Sequence, residues 1–110
     1  MLLEYFCGGS FPPPASSVTL VVLTDGASRM VRREGGRATV RFGWIQPRRL
    51  ARRLARFEHL GAMNLAAGVR DGTRWSVATP TLQVSAVLGM AVPDECARLR
   101  ELAASHARWL

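Results

Sequence analysis

Three short runs rich in apolar and β-branched residues, separated by glycine turn signals, precede the first helical pattern in this chain. No other feature constrains the fold more, because closely spaced strands of this kind must pair into a sheet to satisfy their backbones. Val18-Thr19-Leu20-Val21-Val22-Leu23 is the first run, Asp25-Gly26 is a turn signal, and Arg29-Met30-Val31-Arg32 resumes as a strand. Glu34-Gly35-Gly36 supplies a second turn, after which Val40, Phe42 and Trp44 alternate with Thr39, Arg41 and Gly43 at period two.

Pro47 opens a helical segment, since a proline at the first helical position leaves no amide hydrogen unpaired. Leu50, Leu54 and Phe57 fall within about 60° of arc on a helical projection, and Arg48, Arg49, Arg52, Arg53 and Arg56 occupy a separate arc of about 140°. Gly61 stands where a C-terminal cap is expected, and residues 62–70 read as a connecting loop. Asp71-Gly72 introduces a strand carrying Trp75, Val77 and Thr79 on one side, and Pro80 breaks it. Leu82, Val84, Ala86, Leu88 and Met90 alternate again. Pro93-Asp94-Glu95 then starts a helix, with its acids near the positive end of the dipole. Leu99, Leu102, Ala103, His106, Trp109 and Leu110 form one apolar stripe on it.

The order βββαββα predicts an α+β fold: an antiparallel sheet of about five strands with both helices packed on one face. Residues 1–17, with Gly8-Gly9-Ser10 and Pro12-Pro13-Pro14, read as an N-terminal arm, and residues 18–110 as a single domain. The arm carries Leu2, Leu3, Tyr5, Phe6 and Phe11, too apolar for a tail left in water: it either packs across its own domain or adds to a partner or second subunit with Tyr5, Phe6 and Phe11 as candidate anchors, and the triple proline tilts the reading towards the second.

Charge is concentrated. Residues 29–56 hold ten arginines and one acid, Glu34, whereas the rest of the chain has five arginines and seven acids. All 15 basic residues are arginine, which reads first as coding bias rather than selection at every site. The local excess makes Arg48, Arg49, Arg52, Arg53 and Arg56 candidate partner contacts, because guanidinium pairs with both carboxylate and phosphate. A solvated helix face is the ordinary alternative. No helix-turn-helix, zinc-finger or aromatic RNA-stacking signature is discernible.

Catalytic chemistry finds little support. Cys96 and His106 invite a nucleophile–base pairing, but ten residues along one helix separate them by about 15 Å. His106 reads as a packing residue and His59 as a polar residue near a helix end. The two cysteines, Cys7 and Cys96, read as reduced thiols, and neither they nor the two histidines show zinc-pair spacing. No catalytic residue, metal site or cofactor is expected. The N-terminus lacks the basic start and sustained apolar run of a secretory signal, and the uncharged residues 76–93 contain Pro80, Gln83 and Gly89. A cytoplasmic location without membrane contact is the expectation.

Arg33-Glu34-Gly35-Gly36 before a strand, the leucine-rich helix at 50–60, Asp71-Gly72 before an aromatic strand at Trp75, and Val92-Pro93 before a closing helix at Leu99 and Leu102 together resemble emfourin-type bacterial inhibitors of thermolysin-like metalloproteases. The resemblance covers roughly the last three quarters of the chain; the strand at Val18 and the proline-containing arm depart from it. It implies a class rather than residues: a non-catalytic domain that docks on another protein as an inhibitor or regulator. The expected partner is therefore a protein with an acidic surface, with nucleic acid bound by the arginine-rich helix as the alternative and homo-oligomerisation left open.

Overall fold

A computed structural model, which describes residues 1–9, 16–69 and 72–110, has the α+β class expected. Its strands are β1 (Leu3–Gly9), β2 (Ser16–Val22), β3 (Ala27–Glu34), β4 (Arg37–Trp44), β5 (Ala62–Asn64), β6 (Thr73–Ala78) and β7 (Gln83–Val87). Two helices, α1 (Pro47–Ala55) and α2 (Asp94–Trp109), complete the fold together with a 3-10 turn at Glu58–Leu60.

The glycine turns do what their sequence requires. Glu34 pairs with Arg37 across Gly35 and Gly36, whose φ values of 54° and 80° match a two-residue type I′ hairpin. Asp25 fixes the other hairpin, its carboxylate accepting the Ala27 N–H at 2.9 Å.

Seven strands, not five, form the sheet, in the order β4-β3-β2-β1-β6-β7-β5. Two of the differences come from segments without a strong local signal. Leu3–Gly9 is no arm: β1 lies in the middle of the sheet, antiparallel to β2 on one side and to β6 on the other. Its residues alternate, with Leu3 and Tyr5 fully buried and Cys7 partly so, facing Val22, Leu20 and Val18 of β2. Gly8 is demanded by packing, since a Cβ there would lie 2.8 Å from both the Phe6 ring and Ser17 Cβ. The domain therefore begins at β1, and β2 begins two residues before Val18. The second difference lies in the expected loop at 62–70, which contains β5, a three-residue edge strand parallel to β7.

Smaller departures have similar causes. β7 stops at Val87, and Leu88 and Met90 are exposed in the turn that follows. α1 ends at Ala55, so Gly61, at φ 59°, caps the 3-10 turn instead of the helix.

One face of the sheet carries the core. Leu3, Tyr5, Leu20, Val22, Met30, Trp75, Val77, Val84 and Ala86 meet Leu50 and Leu54 of α1 and Cys96, Leu99, Ala103 and Ala107 of α2 in a single cluster. Both helices thus share one face. Full burial of a leucine side chain contributes roughly 1.5–3 kcal/mol, so Leu50 and Leu54 suffice to dock so short a helix. Among the described residues, no helix covers the other face.

Candidate docking surface around the outer strand

α1 is set in place from both ends of its chemistry. Pro47 opens it, the Gln46 side chain accepts the Arg49 N–H at 3.0 Å, and the buried pair Leu50 and Leu54 fixes its rotation. Arg49 and Arg53, one turn apart and next to Leu50 on the projection, consequently stand towards β4. Arg48, Arg52 and Arg56 are exposed and do not line the groove that Arg49 and Arg53 enter.

The basic segment is not one patch. Arg29 and Arg33 lie on the open face of the sheet, while Arg32, Arg37 and Arg41, which share the face of buried Met30, lie on the helix side. Among the described residues the ion pairs are Arg32–Glu34 at 3.9 Å, His59–Glu95 at 2.5 Å and Arg108–Glu101 at 2.6 Å. None of them involves Arg41 or an arginine of α1.

Between α1, the end of β4 and the end of α2 lies an open groove of about 500 Å³, lined by Phe42, Trp44, Arg49, Arg53, His106 and Trp109. Three aromatic side chains around it are unusually exposed: Phe42 and Trp44, which strand alternation places on the open-face side of β4, at 77% and 65%, and Trp109 of α2 at 88%. Trp44 is nevertheless oriented, its Nε1 donating to the Asp25 carbonyl at 3.0 Å. Arg41 Nη1 donates to the Leu110 carbonyl at 3.4 Å and holds β4 to the end of α2. His106 is partly buried, and its Nε2 is enclosed without a hydrogen-bond partner. Burial first, and Arg53 second, push its pKa below the usual 6.5. The groove therefore offers two guanidiniums beside a neutral imidazole and apolar ring surface, which complements a carboxylate or phosphate carried on an apolar framework.

The backbone of β4 adds to this surface. All eight of its residues are exposed, and β4 is the outermost strand on its side of the sheet. The Ile45 N–H donates to the Gly26 carbonyl at 2.9 Å, in register with the β3–β4 ladder. Antiparallel alternation then turns the N–H and C=O groups of Arg37, Thr39, Arg41 and Gly43 towards β3 and those of Ala38, Val40, Phe42 and Trp44 outward. The opposite edge, β5, is only three residues long.

The proposed aromatic anchors are placed differently. Tyr5 is 5% exposed in the core and pushed up to about 12 in pKa, by burial and then by its neighbour Cys7, so it is no surface anchor. Phe6 is half-buried on the open face, and Phe11 lies outside the described residues. The sequence pattern does not mark Phe42, Trp44 and Trp109 as surface groups: the first two fit an alternating strand, and Trp109 falls on the apolar stripe of α2, yet all three are exposed. The alternation of Phe42 and Trp44 with Arg41 and Gly43 was the available signal, but only an edge position leaves both faces of such a strand in water.

Elsewhere, His59 Nε2 meets Glu95 Oε2. A His–carboxylate pair can orient a general base, but Cys96, next to Glu95, is fully buried, points its Sγ at Met63 Sδ 3.9 Å away, and has its pKa raised by that burial. The pair instead links the 3-10 turn to the start of α2. No group of three His, Cys, Asp or Glu residues is gathered in a metal-binding arrangement among the described residues, and no helix there is long and apolar enough to cross a membrane. Compared with family models, curated proteins and solved structures, the chain matches none of them.

Proposed function

We propose that this chain is a non-catalytic protein-docking module, an inhibitor or regulator that engages an acidic partner through β4, the Arg49 and Arg53 side of α1, and the end of α2. The observation that carries this reading is the exposure of Phe42, Trp44 and Trp109 near Arg41, Arg49 and Arg53, which make no ion pair among the described residues. Aromatic and arginine side chains concentrate interface energy, and one face of a domain this size can supply the roughly 800 Å² per partner of an ordinary interface. The likeness to emfourin-type inhibitors supports the same class. Arg48, Arg52 and Arg56 then act at the rim, where they steer an acidic partner more than they hold it.

Nucleic acid is the second reading, favoured by the same aromatic and guanidinium groups, which suit stacked bases and phosphates. It is less well supported because the arginines of β3 and β4 divide between two faces, leaving no single backbone track. Tagged protein recovered from its host with and without nuclease separates the two. A stoichiometric protein that survives nuclease and is lost from the double variant Arg49→Glu, Arg53→Glu supports docking. Loss of every partner with nuclease, with a salt slope of about −3 for a single strand touching four or five arginines, overturns it.

A further inference from the structure

We infer that the outer edge of β4 is a strand-addition site: it takes an extended segment of the partner whose side chains alternate between acidic and apolar. The inference rests on the docking reading above and specifies how that docking occurs.

Sheet edges of this length are ordinarily shielded, because a row of unpaired N–H and C=O groups is a template for another strand. The two edges here are treated oppositely. β5 is short and turns parallel to β7, whereas β4 runs for eight residues with the outward groups of Ala38, Val40, Phe42 and Trp44 free for pairing. Neither proline nor a bulge protects it, as its ladder with β3 is continuous from Ala27–Trp44 to Glu34–Arg37.

The side chains specify the occupant. On the open face, Val40 and Phe42 are apolar and exposed; Val31 lies beside Val40 on β3, while Arg29 stands beside Phe42 with Val21 beyond it. On the helix face the same edge presents Arg37 and Arg41, and beyond them the groove with Arg49, Arg53 and His106. A strand laid beside β4 sends alternate side chains to these two faces. Its apolar residues would lie next to Val40 and Phe42, and its acids next to Arg41 and over the groove mouth, where His106 Nε2 is enclosed without a partner. A second copy of this chain is disfavoured by charge, because an antiparallel β4–β4 pairing would bring Arg37 and Arg41 of both copies onto one shared edge. Nucleic acid would use the arginines and rings but has no use for the outward amides.

The test uses the full chain and a synthetic peptide of alternating Glu and Val, eight residues long to match β4. Binding, followed by amide shifts in 37–44 and by tryptophan fluorescence, is expected for this peptide and not for its Lys–Val counterpart. Val40→Pro removes one outward N–H and no bond to β3, so the fold is retained and affinity falls about tenfold. Should Val40→Pro disturb the fold, a peptide N-methylated on the amides of alternate residues tests the same bonds from the other side. One of its two registers must lose binding. Equal affinity for both methylated peptides, for Val40→Pro, or for the Lys–Val peptide overturns strand addition. If the native partner still binds the wild type but ignores all these changes, docking stands and only its mode is wrong. Concentration-dependent pairing of the free chain through β4, or capture of a single-stranded oligonucleotide that Val40→Pro leaves unchanged, also overturns it.

Discussion

Tyr5 is the only tyrosine in the chain, so its ionisation can be read by absorbance without interference from another phenol. Burial in the core, reinforced by Cys7, pushes it up to about 12 from the ordinary 10. For an acid whose folded pKa is raised, the unfolded state loses the proton first, and stability falls as pH rises above about 10. Native titration is therefore expected near 12, coincident with the onset of unfolding; a midpoint near 10 with the fold intact would mean that β1 is not packed as described. His106 works in the opposite direction. Its pKa is lowered by burial and by Arg53, so the unfolded chain takes up a proton first as pH falls below about 6.5, and stability declines towards acid. Replacing it, as in His106→Leu, should flatten the stability profile between about pH 7 and 5, measured by denaturant midpoint. An unchanged slope would assign the acid sensitivity to groups other than His106.

At the scale of elements, β1 joins the two halves of the sheet, because it alone pairs with both β2 and β6. Gly8→Val would force a branched side chain into the space held by Phe6 and Ser17, and a loss of about 1–3 kcal/mol in unfolding free energy is expected. Deleting residues 1–9 should abolish cooperative unfolding instead of merely lowering solution mass, as loss of a subunit-contacting arm would. The same strand marks the limit of sequence reading. β2, β3 and β4 were legible because Asp25-Gly26 and Gly35-Gly36 set their turns locally, and α2 because Pro93, Asp94 and Glu95 mark its start. In β1 the alternation of Leu3, Tyr5 and Cys7 was present, but Gly8, Gly9 and the three prolines outweighed it; what makes it a strand is pairing with β6, nearly seventy residues away. β5 offered still less, since a three-residue parallel strand is specified by its crossover and not by its own pattern. The arginine face of α1 was visible, yet which two arginines line a groove depends on β4 and α2, elements brought together only by the fold.

For the whole molecule the important asymmetry runs across the sheet, from a centre buried under both helices to one long, uncovered edge. Backbone protection should follow it. Amides of β1, β2 and β6 that bond within the sheet can exchange only by global or near-global unfolding, while those at β4 need only local opening. Within β4 the expectation is sharper. Thr39, Arg41 and Gly43 donate towards β3 and should be protected, whereas Val40, Phe42 and Trp44 point outward and should exchange nearly as fast as an unstructured chain. Hydrogen exchange followed residue by residue distinguishes three states of this edge. Alternating protection means a free edge held in register. Uniformly fast exchange means that β4 opens from β3, leaving no template for an added strand. Uniform protection that grows with protein concentration means that copies pair through β4 despite Arg37 and Arg41. Only the alternating pattern is compatible with an edge kept open for a partner, because like charge then prevents self-pairing while the backbone stays ready to bond.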